Sequence, residues 1–287
     1  MLVAALCMLV LTGCFVHVRK FPVPKSPTQV ETATAADLIA QLNKRAAAIH
    51  SFSATVDIHA VVTSQEKGEV RDYTQIRSYI LYREPQQLRV LGLLPVVHTK
   101  AFDLVSNPDS FKLYIPSKSK VIQGSNTVGS RSTNTFENLR PAIFLDSFLL
   151  HGAQDGEFYF LISETNSIET ADRKHLLADP EYELTITRPK PEGRELIPLR
   201  VIHFHRENLE PFEQDIYGER GSLETQVIYG PEQSFGDARF PGWITIRRPL
   251  DQYEITLTID KLQINQTLAD DQFHVDIPAN TVVDQLK

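Results

Sequence analysis

Phe52-Ser53-Ala54-Thr55-Val56-Asp57-Ile58-His59-Ala60-Val61-Val62 sets apolar residues at Phe52, Ala54, Val56, Ile58, Ala60 and Val62 against Ser53, Thr55, Asp57 and His59. Alternation at period two is the mark of a strand with one buried and one wetted face. The segments on either side show what that strand belongs to. Upstream, Thr34-x-x-Asp37 has the form of a helix-capping box, and Leu38, Leu42, Ala46 and Ile49 recur at helical spacing, which predicts a helix over Ala35 to Ile49. Its apolar stripe needs a sheet to lie on.

Downstream the strand pattern repeats. Thr74 to Tyr82, Gln87 to Leu93, Phe102 to Val105, Phe111 to Ile115 and Lys120 to Gln123 follow one another across turns marked by Gly68, Glu84-Pro85, Asn107-Pro108-Asp109 and Pro116-Ser117. Connections this short exclude helical crossovers, so the strands are antiparallel. A Ser/Thr/Asn/Gly loop over Gly124 to Thr135 leads into a second predicted helix, Asn138 to Leu150, stopped by His151-Gly152. Strands then resume at Glu157, Tyr182, Leu199, Glu213, Thr225, Gly242 and Tyr253. The predicted class is mainly β with α: a long antiparallel sheet that curls into an incomplete β-barrel, with both helices covering its concave side.

The first residues carry a separate signal. Met1 to Leu11 is almost entirely Leu, Val, Ala, Cys and Met, about ten residues against the roughly 20 a spanning helix needs. It ends in Leu11-Thr12-Gly13-Cys14, the box read by lipoprotein signal peptidase and acyltransferases. The expectation is a signal peptide over 1–13 and an acylated Cys14. A Pro-rich tether follows over 14–34, with Pro22, Pro24 and Pro27, and then a single domain over 35–287. Phe15 follows the cysteine where an inner-membrane retention Asp would stand, which favours an outer-membrane anchor facing the periplasm.

Composition narrows the function. A net charge of -7, without a basic cluster interleaved with aromatics, argues against nucleic acid. The two cysteines, Cys7 and Cys14, fall in the signal and at the lipid site, leaving no thiol for a disulfide or a nucleophile. No Gly-x-Ser-x-Gly elbow, His-Glu-x-x-His helix or phosphate-binding glycine loop is present, so neither catalysis nor a cofactor is expected. His203-x-His205 places two imidazoles on one strand face, but no third ligand lies at a recognisable interval, and the pair reads as structural rather than metal-binding.

With the strands and helices in order, the sequence resembles the LolA/LolB-like lipoprotein carriers and receptors. The resemblance rests on Phe52-x-Ala54-x-Val56, Tyr82-Arg83-x-Pro85-x-x-Leu88-Arg89-Val90 and Phe111-x-Leu113-Tyr114-x-Pro116. It continues through Leu257-x-Ile259-x-x-Leu262-x-Ile264-Asn265 and Phe273-x-Val275-x-Ile277-Pro278. It implies a cavity that holds the acyl chains of a lipoprotein or lipid cargo, passed on by a periplasmic carrier protein. By position, Leu93 or Leu94 in Leu91-Gly92-Leu93-Leu94-Pro95-Val96-Val97 matches the protruding residue of the receptor's exposed leucine loop, which helps deliver cargo into the membrane; the alternative reading of the run is a buried bend under one of the helices. The extra hairpin between about Arg188 and Tyr229 departs from the family.

From the strand alternation, Val56, Ile58, Ile80, Val90, Leu113, Trp243, Ile255 and Leu257 are the candidates to line the lipid cavity, the alternative being that they fill one another as in any small barrel. At about 0.8 kcal/mol per methylene, burying two-thirds of a sixteen-carbon chain offers roughly 8 kcal/mol before ordering costs. The rival expectation is an envelope sensor or structural module that binds a protein partner with the same fold.

Overall fold

The computed structural model describes residues 19–22, 29–64, 67–126, 141–170, 172–191 and 193–286. The signal segment, Cys14 and most of the tether lie outside the described residues, as do 127–140, which include most of the Ser/Thr/Asn/Gly loop and the first turn of the second predicted helix.

Helix α1 (Ala35–Ala47) begins where the capping box places it. The Thr34 hydroxyl accepts from the Asp37 amide (3.2 Å) while Asp37 Oδ2 accepts from the Thr34 amide (2.9 Å). Two donors that a helix start leaves free are thereby satisfied. Leu38, Leu42 and Ala46 form its buried stripe. Helix α2 spans Pro141–Phe148.

The strands are β1 (Ser51–Ser64), β2 (Glu69–Arg83), β3 (Gln87–Leu93), β4 (Lys100–Ser106), β5 (Ser110–Ile115) and β6 (Lys120–Ser125), then β7 (Phe158–Glu169), β8 (Leu176–Pro189), β9 (Leu196–His205), β10 (Pro211–Tyr217) and β11 (Leu223–Tyr229). A short ribbon, β12 (Glu232–Phe235) and β13 (Ala238–Pro241), precedes β14 (Trp243–Arg248), β15 (Tyr253–Ile264) and β16 (Val282–Gln285). Apart from the ribbon these form one fourteen-stranded sheet in the order β16-β6-β5-β4-β3-β2-β1-β15-β14-β11-β10-β9-β8-β7. All pairings in it are antiparallel except β16 on β6.

This order corrects the predicted curled half-barrel. The strand order is linear and open, and the two end strands, β16 and β7, share no ladder, so the sheet does not curl into a barrel. The physical reason is lateral extension. β1 is sandwiched between β2 and β15, and β14 with β11 to β7 then continue outward on the far side of β15 instead of turning back toward β6.

The helices cover two cores side by side on one face rather than one shared hollow. Ile143, Phe144 and Phe148 of α2 pack with Val56, Ile80, Val90, Leu104, Ile246 and Leu257. Leu38 and Leu42 of α1 pack with Tyr182, Leu184, Ile186, Ile202 and Phe204 from β8 and β9. Across the opposite, outer face of β2 and β3 runs a strap after β15: Arg83 donates to the Leu268 carbonyl and to Asp270, and Arg89 to the Gln272 carbonyl.

Candidate functional site

Where the two helix-covered cores meet, the sheet keeps an open cleft of about 710 Å³. This is within the range of small-molecule sites. One wall is the last turn of α1 and the residues after it, with Leu42, Ala46 and Ile49, and another is the end of α2, with Phe148, Leu149 and Leu150. Phe212, Tyr229, Leu262 and Ile264 come from the sheet, and Phe240 from the ribbon. The ribbon turns at Gly236, whose φ of 63° suits glycine. Phe240 stacks on Phe148 (6.0 Å between centroids), so the ribbon leans on the α2 core.

The rim is charged and self-paired. Arg45 grips Glu210 with both guanidinium nitrogens (2.6 and 2.7 Å) and also meets Glu232 (3.1 Å), which in turn holds Arg239 (3.1 Å). These contacts tie α1, the β9–β10 turn and the ribbon across the cleft. Burial, then the neighbouring charge of Glu210, raises the Glu232 pKa. Beneath the cleft wall, the Tyr229 hydroxyl has essentially no exposed surface and no hydrogen-bond partner among the described residues. Burial first, and the charge of Asp146 second, hold its pKa well above the ordinary value. A buried hydroxyl in that condition calls for an ordered water.

The predicted cavity residues sit elsewhere. Val56, Ile80, Val90 and Leu257 are fully buried, and Ile58, Leu113 and Ile255 nearly so; all seven belong to the core under α2, and none lines the cleft. Trp243 lies on the outer face, because its neighbour Ile244 takes the helix-covered side, and its ring rests on Gly230, where a Cβ would come within 2.4 Å of the indole nitrogen. Leu93 ends β3 half-buried, and Leu94 opens an exposed loop whose tip is Val96, 90% exposed, followed by the exposed Val97. Gly92, just before, lets Phe102 lie against the backbone at 2.5 Å from where a Cβ would be. The residues that build the cleft, Phe148, Phe212, Tyr229 and Phe240, were missed because four unconnected segments bring them together. The signal available in the sequence was Tyr229-Gly230-Pro231, which breaks a strand with a ribbon to follow.

No family model and no curated protein matches the sequence. Solved structures do. The fold is similar to that of a LolA superfamily protein from Nitrosomonas europaea, at 14% identity and a TM-score of 0.51, over 85% of this chain and 99% of that one. It is also similar to a DUF1329 family protein from Desulfovibrio piger, at 14% identity and a TM-score of 0.50, over 84% of this chain and 95% of that one. At this identity the likeness is one of fold alone: a broad antiparallel sheet with helices on one face, as in those two proteins.

Proposed function

We propose that this chain is an envelope lipoprotein, anchored through Cys14, that binds the acyl chain of a lipoprotein or lipid in the cleft between α1, α2 and the β12–β13 ribbon and passes it to the outer membrane. The observation that carries the reading is an apolar-walled cleft of about 710 Å³ under a charged, self-paired rim. Transfer rests on affinity, since the roughly 0.8 kcal/mol gained per buried methylene is returned when the chain enters a bilayer. The exposed run Leu94, Val96 and Val97, beside Leu93, gives the protein a surface to lay against lipid.

The test is acyl-probe binding by the purified chain and by Ala46→Trp, which places an indole in the cleft wall. A fluorescent fatty acid should bind the parent and lose at least about tenfold in affinity to the variant, a difference of about 1.4 kcal/mol. Equal binding by both, or binding by neither together with no lipid in a solvent extract of the purified protein, removes the proposal and leaves the partner-binding module as the better reading.

A further inference from the structure

On the outer face of the sheet, three side chains from two adjacent strands converge, with Phe212 of the cleft wall packed beside one of them (5.8 Å between the His203 and Phe212 rings). His203 of β9 stands directly opposite Glu213 of β10, and Asp215 follows two residues along on the same side. One ligand atom from each of His203, Glu213 and Asp215 lies within 4.8 Å of the other two, and all three residues are half-buried. The pair His203-x-His205 has a spacing that metal sites use but no third ligand near it in sequence; strand pairing brings carboxylates to His203 from residues at no recognisable interval in the chain.

The neighbours hold the group in place. The Gln226 side-chain amide of β11 donates to Glu213 Oε1 (3.1 Å) and to Asp215 Oδ1 (3.2 Å), so one amide fixes both carboxylates. Gln226 is itself oriented by Arg247 of β14, whose Nη1 donates to its Oε1 (3.2 Å) while Nε holds Glu254 (2.7 Å). On the other side, Glu181 of β8 lies 3.9 Å from His203 Nδ1. Five consecutive strands thus contribute to one rigid arrangement, with outer residues backing the ligands as in metal centres generally. Among the described residues neither Glu213 nor Asp215 has a Lys or Arg ion pair, so two adjacent carboxylates are held together without a direct counter-charge. Burial and their mutual repulsion raise the pKa of Glu213, and burial raises that of Asp215.

The geometry points to a divalent-metal site formed by His203, Glu213 and Asp215, with an imidazole and two carboxylates selecting a transition ion such as Zn²⁺ over the all-oxygen preference of Ca²⁺ or Mg²⁺. The ion supplies the positive charge between the two carboxylates and joins β9 to β10.

The test is calorimetric titration of the full chain with Zn²⁺ alone, beside His203→Ala, Glu213→Gln, Asp215→Asn and the control His205→Ala. His205 shares the strand face, but its ring stacks on Phe212. The parent should show one saturable site, weakened at least about tenfold in each of the first three variants. It should be retained in the control, and circular dichroism should confirm that all four fold. Substituting Co²⁺ adds a visible absorption band whose change in His203→Ala reports loss of a nitrogen ligand. Absence of saturable Zn²⁺ binding overturns the site, and so does binding that persists in all three variants or vanishes only with His205→Ala. Acyl-probe binding to the parent chain is read independently, so failure here leaves the cleft reading standing.

Discussion

The two halves of the sheet dispose of outer-face charge in opposite ways. In the half built from β2 to β6, Asp103 is fully buried, and Arg89 reaches it through Nε and Nη2 (2.9 and 2.8 Å) and Lys100 through Nζ (2.9 Å). The strap closes over them, with Arg89 Nη1 donating to the Gln272 carbonyl (2.9 Å). In the half built from β7 to β11, Glu213 and Asp215 stay half-buried and meet an amide and an imidazole instead. The edges differ in the same sense. β6 is covered by the short parallel strand β16, with Gln123 bonded to Gln285 and Lys120 paired to Asp284. By contrast, β7 presents a twelve-residue edge, almost wholly exposed. One half spends its charges on holding itself closed; the other leaves groups available for binding.

The sharpest way to break this comparison is Asp103→Ala. It leaves the Arg89 and Lys100 charges under the strap without their partner, and breaking a buried pair from one side costs about 3–5 kcal/mol. Urea denaturation should show a loss of that size. A loss under about 1 kcal/mol would mean that the strap, and not the ion cluster, closes this half.

The elements were legible where local chemistry dictates them. Thr34 and Asp37 announce α1, and the alternation through Phe52 to Val62 announces β1 and its buried face. What was not legible is long-range. That β1 pairs with β15, placing Phe52 opposite Ile264, cannot be read from either strand alone. Predicted curl gave way to an open sheet because alternation reports which face is buried and not where the end strands lie. Trp243 shows the same limit at one residue: a large apolar side chain in a strand reads as interior, but Gly230 opposite it makes an outer-face seat. The cleft and the His203 cluster both depend on cross-strand neighbours, which is why each surfaced only with the register in hand.

A smaller effect sharpens the comparison from the other half. Without metal, the raised pKa of Glu213 means that the folded state takes up a proton more readily than the unfolded chain, so its contribution to stability is present below the ordinary carboxylate pKa and lost as pH rises through the raised value. Glu213→Gln should therefore be more stable than the parent at neutral pH, by about 1 kcal/mol or less, with the difference closing below the ordinary carboxylate range. Thermal melts in chelator across pH check the sign.

The smallest expected effect is at the open edge. Phe158, Phe160 and Ile162 alternate along β7 on the outer face, and Phe160 is 48% exposed. Its partner across the ladder is Thr185. Phe160→Thr puts in a β-branched residue with good strand propensity and removes a ring that covers little, so stability should change by no more than about 0.5 kcal/mol. Long apolar edges are places where another chain adds on, so the same substitution should lower any self-association seen by sedimentation. Should Phe160→Thr instead cost as much as Asp103→Ala, the β7 edge would have to be covered in the working protein, and the contrast between a closed half and an open one would fail at the strand where it is most visible.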